Sequence, residues 1–445
     1  TRSRSRRGTS AGARCCDGQS SRACRTGRAQ RSAAFADARK GSAAAFLAAA
    51  LRKSPSLSGR LEITLINLYR GQTPEACAAA IIATQPDLVG FSIYAWNQSL
   101  ATSLASQLNY SSPELVLFCG GPEATADQGR LLGEAPWDFL VYGEGEAALA
   151  GALHEITAGR SPAGAPGTAV LEQGKLRRSP PPEMIALEKI PSPLLSGEID
   201  PAEYPGMLWQ ISRGCSFSCD FCFDGGGSRK VRRFPLERLA AELHWFAENK
   251  VSQVFVLDST FNSDRERAVT ILRLIKKIAP HIHFHFEVRS EFLDRQQADL
   301  FAATTCSLQI GLQSADPLVL KQSGRNFNRT DFTAKVALLN DSGAIFGFDL
   351  IYGLPGDTLA GFRKSVDFAL SLYPNHLDIF PLALLPGTRL AARSAELGLH
   401  HNAAPPYLLT SSPTFSEQDM AVAARLATAC DIFYSRGKAV SWFLS

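Results

Sequence analysis

Between Gly214 and Phe223 the chain reads GCSFSCDFCF, which places Cys215, Cys219 and Cys222 in a Cys-x3-Cys-x2-Cys pattern. No fourth cysteine lies close by, and the nearest histidine is His244, in the next helical pattern. Structural zinc is held by four closed ligands. An iron–sulfur cubane binds thiolates and accepts an outside ligand on its remaining iron. Thiols kept only for packing rarely cluster this tightly, so the cubane is preferred over zinc and over three inert cysteines. Such a cluster leaves one coordination position open for something that is not protein.

The elements around this loop can be read from the hydrophobic pattern. MLWQIS (207–212), QVFVLD (253–258), HIHFHFEV (281–288), SLQIGL (307–312), IFGFDLIY (345–352) and HLDIFPLA (376–383) read as strands, separated by amphipathic helical stretches. Six β/α units without a reversal predict a partial (β/α)6 TIM-type barrel over 207–385, with chemistry at the carboxyl ends of its strands. The cysteine triplet follows the first strand at that end. Upstream, RLEITLINLY, DLVGFSIYAW, ELVLFCGG and DFLVYGEGE alternate with helical stretches, which predicts a Rossmann-like, doubly wound parallel sheet over 36–157. TPEACAAAIIAT carries a Thr cap and a Pro at the first helical position. RSAAFADA, where the first strand of that sheet belongs, reads poorly as a strand. Residues 158–206 are Pro- and Gly-rich around a hairpin candidate, TAVLEQGKLRR, and read as a linker with little core of its own. Residues 386–445 read as a mainly helical C-terminal region without a legible motif, and the chain stops at AVSWFLS, which suggests truncation.

The 445 residues are enough for two or three domains, and 45% apolar with 20% charged residues is ordinary globular composition. The net charge of +4 conceals an asymmetry: residues 1–40 hold ten Arg and one Lys against two Asp, net +9, so the remainder carries −5. That remainder offers no broad basic surface for nucleic acid. No apolar run reaches the length of a membrane span. Residues 1–35 are almost free of apolar side chains and read as a disordered basic tail or as residues outside the native start, with a transit-like peptide as the third reading. Outside the tail and the triplet the cysteines (77, 119, 306 and 430) are isolated in apolar contexts, the pattern of a reducing compartment, which predicts a cytoplasmic location. In HIHFHFEV, alternation puts His281, His283, His285 and Glu287 on one strand face. Successive residues on one face lie about 7 Å apart, so the expectation is a face lining the barrel lumen rather than a second metal site.

RGCSFSCDFCF resembles the signature of radical S-adenosylmethionine (SAM) enzymes, with an aromatic just before the last cysteine. The resemblance implies a [4Fe-4S] cluster on Cys215, Cys219 and Cys222, whose open iron is chelated by S-adenosyl-L-methionine. Reductive cleavage of the sulfonium then yields a 5′-deoxyadenosyl radical. It further implies contacts to SAM from Phe221, from Asp258, which stands in LDST where the family has a Gly-Gly-Glu-like segment, from Glu287 and Arg289, and from Gln313 and Ser314. IYGLPGDT (351–358) is similar to the family's fifth-strand segment.

VGFSIYAWN, CGGPEAT and VYGEGE together are similar to the cobalamin-binding domain that precedes the radical module in one large class of these proteins. This implies cobalamin contacts from Ser92, Tyr94, Asn97, Gly120, Gly121, Glu123, Gly143, Glu144 and Gly145. The Asp-x-His-x-x-Gly segment that supplies an axial histidine elsewhere is absent, so the resemblance implies binding without one. The activity implied is a cobalamin-dependent methyltransferase modifying an unactivated carbon of a small molecule, with a flavodoxin or ferredoxin as reductant and with neither nucleic acid nor membrane as partner. Two alternatives stay open: a methylthiotransferase-like radical SAM enzyme, and a non-catalytic cobalamin or redox sensor.

Overall fold

The alternation of buried strands and covering helices resolves into two separate sheets. The computed structural model describes residues 31–37, 42–69, 71–224 and 230–437. The basic tail expected over 1–35 lies outside the described residues as far as residue 30. The first unit comprises β1 (Arg31–Asp37), α1 (Ser42–Arg52), β2 (Leu61–Asn67), α2 (Pro74–Ala83), β3 (Leu88–Ser92), α3 (Gln98–Ser111), β4 (Val116–Gly120), α4 (Pro122–Ala126), α5 (Gln128–Glu134), β5 (Phe139–Val141), α6 (Gly145–Thr157), β6 (Thr168–Glu172) and β7 (Lys175–Arg178). Its strand order is β2-β1-β3-β4-β5-β6-β7, with β1 to β5 parallel. Chain direction across the sheet reverses between β1 and β3, the switch point where open α/β sheets hold ligands. β4 and β5 are almost wholly buried, as strands covered on both faces must be.

Two expectations are corrected here. The weak RSAAFADA stretch does supply the first strand: β1 pairs along its whole length with β2 and also with β3, so tertiary pairing overrides a poor local propensity. Part of the tail expected over 1–35 is therefore sheet. The stretch expected to be a linker packs substantial core. β6 and β7 form the anticipated hairpin and extend the first sheet antiparallel, turning on Gln173 and Gly174, both at positive φ as a two-residue hairpin turn demands. Beyond it, Leu187, Ile190, Leu194 and Ile199 are buried in the core of the second unit.

That second unit is the partial barrel: β8 (Met207–Gln210), α7 (Leu236–Glu248), β11 (Gln253–Leu257), α8 (Arg265–Ile278), β12 (His283–Val288), α9 (Arg295–Ala302), β13 (Cys306–Gln313), α10 (Pro317–Gln322), α11 (Arg329–Ser342), β14 (Phe346–Tyr352), α12 (Leu359–Leu370) and β15 (His376–Pro381). Six parallel strands follow in sequence order from β8 to β15. The first strand is shorter than read. After Gln210 the chain forms β9 (Ser212–Arg213), paired antiparallel with β10 (Arg232–Arg233), and this ribbon brackets the cysteine loop. Gly214 at the mouth of the loop has φ +88°, and a Cβ there would stand 2.5 Å from Lys230 O, so both conformation and space demand glycine.

The C-terminal region is helical with one small hairpin. It contains α13 (Arg389–Ala392), β16 (His400–His401), β17 (Leu409–Ser411), α14 (Glu417–Ala429) and a π-helix over Cys430–Arg436. The π-helix covers the open barrel edge: Ser435 Oγ accepts from Leu377 N–H at 3.0 Å and donates to Leu377 O at 2.9 Å on β15. Among the described residues no helix is long and apolar enough to cross a membrane.

One buried carboxylate ties the 187–199 stretch to the barrel. Glu242 of α7 accepts from Ser192 Oγ (2.6 Å), Trp209 Nε1 (2.7 Å) and Arg238 Nε (2.8 Å). Replacing it strands a largely buried guanidinium as well as an indole N–H. Glu242→Ala is therefore expected to destabilise the chain by about 3–5 kcal/mol, seen as a lowered thermal unfolding midpoint. An unchanged midpoint would show that this network is incidental.

Candidate functional site

The ribbon β9/β10 delivers the cysteine loop to the carboxyl end of the barrel. Cys215 and Cys219 are partly buried and Cys222 is exposed, and all three are free thiols. Their charges bear on one another: Cys219 and Cys215 both act on Cys222. Burial pushes the Cys215 thiol up, partly offset by a hydrogen bond from the Phe217 backbone. Desolvation of the Cys222 sulfur inside the loop, although the residue as a whole is exposed, raises it to about 11. Among the described residues no three His, Cys, Asp or Glu converge as a site for a single metal ion. Three thiols gathered in one loop, with no histidine and no fourth cysteine in that loop, match the three protein ligands of a cubane that keeps one iron open. Two further observations fit a ligand held beside the thiols. Arg325 hydrogen-bonds Cys219 yet leaves its Nε buried without a partner, and Gln313 Oε1 is likewise orphaned.

Beside the loop lies a cavity of about 400 Å³ lined by Gln210, Arg213, Asp224, Asp258, Ser259 and Glu287, among others. Asp258 faces it while its Oδ1 accepts from Thr260 N–H at 3.0 Å. Burial, with Asp224 and Asp258 adding, raises Glu287 above the usual carboxylate range. Phe221 packs partly buried against the barrel core. Arg289 is drawn away by Glu291 (Nε to Oε1, 2.7 Å) and stacks 3.7 Å from the Phe217 ring, so it props the cysteine loop. Gln313 sits on a bulge at φ +66°, its amide folded over Gly311. Ser314 is corrected: it is buried, its Oγ accepts from Asp316 N–H at 3.1 Å at the start of α10, and it is committed to that turn.

A second cavity, about 1000 Å³, is bounded by the carboxyl ends of both sheets. Ser92, Tyr94, Gly120, Gly121, Gly143, Glu144 and Gly145 line it from the first unit; Leu208, Phe255, Leu257, His285 and Glu287 line it from the barrel. Gly121 has φ +100°, and a Cβ there would lie 2.8 Å from Ile93 O, whereas at Gly143 (φ +75°) the space is open. Gly121 thus serves chain packing, and Gly143 leaves the wall free for a flat ligand.

Two expected cobalamin contacts, Asn97 and Glu123, are corrected, and a third, Glu144, is shared with the barrel. Asn97 is turned inward, accepting from Tyr94 N–H (2.7 Å) and donating to Ser92 O (2.8 Å), so it shapes the loop that carries Tyr94. Glu123 is buried under Arg130 (2.8 Å) and the Tyr407 hydroxyl (2.6 Å). Glu144 reaches the cavity, but its carboxylate is held by Arg213 (3.3 Å) and Arg232. Strand-end polar residues in such sheets serve caps and interfaces as readily as ligands. The Arg213 pairings to Glu144 and to Glu146 (2.6 Å) join the two units next to the cysteine loop, and no signal in the sequence paired these segments.

Of the histidine face, His285 lines the larger cavity, and the strand's inward side carries His283 beside it. His281 precedes the strand and is exposed. His283 Nε2 (3.0 Å) and His285 Nδ1 both reach Ser307 Oγ. Higher in the lumen, Gln309 joins His376 (2.6 Å), Asp349 and Asp378 (3.1 Å). Burial, with Glu287 and Asp378 adding, pushes Asp349 up to about 7.

Comparison with known proteins agrees with this layout. Residues 209–369 match the Radical SAM superfamily and residues 42–153 the B12 binding domain. The chain is 29% identical over 338 residues to the cobalamin-dependent radical SAM methyltransferase TokK of Streptomyces tokunonensis, covering 69% of this chain and 48% of that one. It is 29% identical over 358 residues to 2-(S-pantetheinyl)-carbapenam-3-carboxylate methyltransferase of Streptantibioticus cattleyicolor, covering 74% and 52%. The chain thus spans about half the length of these curated relatives. A tRNA-2-methylthio-N(6)-dimethylallyladenosine synthase of Thermobifida fusca is 26% identical over 340 residues, 71% of this chain and 63% of that one. The fold is that of the radical SAM methyltransferase TsrM from Kitasatospora setae, with a TM-score of 0.71 at 18% identity over 88% of this chain and 81% of that chain. The cobalamin-dependent radical enzyme OxsB gives 0.65 at 16% identity over 89% of this chain and 61% of that one.

The raised Asp349 carboxyl makes a stability prediction with a definite sign. A carboxyl whose folded pKa lies above its unfolded value loses folding stability as pH rises from the ordinary carboxylate range toward about 7. Asp349→Asn is expected to match the parent near pH 4.5 and to exceed it by about 2–4 kcal/mol at pH 8, measured as thermal unfolding across pH. A pH-independent difference would mean that Asp349 ionises normally.

Proposed function

We propose that this chain, a radical SAM protein with a cobalamin-binding domain ahead of its barrel, methylates an unactivated carbon of a small molecule. The observation that carries the reading is the shared wall. Glu287 borders both the cavity beside the cysteine loop and the larger cavity bounded by the two sheets, so ligands in the two would be neighbours. When bound, the cluster with SAM supplies a hydrogen-abstracting radical, and cobalamin supplies a methyl carrier.

The chain's own residues do the remaining work. Cys215, Cys219 and Cys222 hold the cluster. Asp258 and Glu287 line the smaller cavity and would hold the amino group of SAM, and Phe221 would offer its backbone from the cysteine loop. Ser92, Tyr94, Gly120, Gly121, Gly143 and Gly145 form the wall for cobalamin. Phe255, Leu257 and Leu208 give the larger cavity an apolar face that excludes water from reactive species. An external one-electron donor of the flavodoxin or ferredoxin kind would reduce the cluster. The methylthiotransferase reading is weaker, because the first unit's described cysteines, Cys77 and Cys119, are buried singly and form no metal group.

The test is anaerobic reconstitution of the full chain with iron, sulfide and hydroxocobalamin. The parent is expected to hold about four irons, to show a corrin spectrum and to release 5′-deoxyadenosine and methionine from SAM under reduction. Cys219→Ala should lose most of the iron and all SAM cleavage while keeping the corrin spectrum. An intact cluster that never cleaves SAM would sink the enzyme reading in favour of a sensor.

A further inference from the structure

Asp220 stands between two of the three cysteine ligands, and each of its polar groups is held by a distant part of the chain. Its N–H donates to Ser323 O at 3.0 Å, and its carbonyl accepts from Leu390 N–H at 2.8 Å. Its carboxylate pairs with Arg389 (2.9 Å), the first residue of α13, and Arg393 (3.3 Å), which caps its end. Gly324, at φ +72°, approaches so closely that a Cβ would lie 2.9 Å from Asp220 Oδ1 and 3.0 Å from Ser218 O. The same C-terminal stretch reaches the rest of the loop and the first unit. A Cβ on Gly387 would meet the Phe223 ring at 2.9 Å and Ala126 at 3.2 Å, and Tyr407 donates to Glu123.

A loop that must hold three thiolates and leave one position open cannot rely on the metal alone to choose its shape. Without outside contacts, ordering its backbone would draw on the free energy of cluster binding. The two arginines are substantially exposed, at 56% and 41%, so their pairs with Asp220 contribute little to global stability. What they can fix is the geometry of the loop. We propose that Asp220 is a positioning residue, clamped by Arg389 and Arg393 so that the cysteine loop is preset for its cluster before iron arrives. This rests on the cluster reading of the cysteines and not on methyl transfer.

The test uses the full chain with three changes: Asp220→Asn, the pair Arg389→Ala with Arg393→Ala, and the pair Arg389→Lys with Arg393→Lys. In the metal-free protein, the first two are expected to speed amide exchange across residues 219–222 by about tenfold, with thermal midpoints near the parent's. After reconstitution they should load iron more slowly and give a reduced-cluster electron paramagnetic resonance spectrum shifted or broadened from the parent's. The lysine pair keeps the charge and should restore both signals. Parent-like exchange and spectrum in Asp220→Asn would overturn the proposal. Should that variant not fold, the same outcome in the alanine pair overturns it. Lost iron with an intact parent-like exchange pattern would also count against presetting. Loss of SAM cleavage in every protein, parent included, would instead strike the functional reading.

Discussion

The arrangement depends on one charged contact, the meeting of Arg213 with Glu144 and Glu146. Arg213 lies two residues before the first cysteine, and the glutamates follow the last parallel strand of the first sheet. The guanidinium is largely buried and Glu146 more so, so desolvation takes back much of the Coulombic gain. Such a contact adds more to register than to stability. It sets the carboxyl ends of the two sheets against one cavity. Glu144, which lines that cavity, also serves as a joint between the two units.

Around that joint the chemistry divides by environment. The larger cavity is walled by apolar and small residues, suited to a broad planar cofactor and to short-lived radical species. The smaller one, beside the thiols, gathers carboxylates from the ends of β11 and β12, which suits a ligand that brings its own positive charge. Behind both, Ser307 and Gln309 hold the lumen histidines and aspartates in hydrogen bonds, which organises the polar floor of the barrel.

The C-terminal region gives the loop its outer support. Its π-helix closes the barrel edge at β15, and α13 grips the residue between two cysteines. Tyr407 reaches across to the first unit. These contacts join positions separated by 58 to 284 residues, and nothing in local composition marks them.

The sequence alone determined what is local or periodic. The cysteine spacing names a three-thiolate site because the ligands lie within one loop. Apolar runs alternating with helical stretches identify both sheets, because burial on two faces leaves a continuous signature. Only the tertiary structure decided which strand-end polar groups face the cavities. Asn97, Glu123 and Ser314 look the same as Ser92 or Asp258 along the chain, yet they are consumed by neighbours that folding brings to them. A strand as poor as RSAAFADA also forms only because partners on both sides satisfy its backbone. Hydrogen-bond and charge partners across long sequence separations carry no periodicity, so they become visible only once the chain has folded.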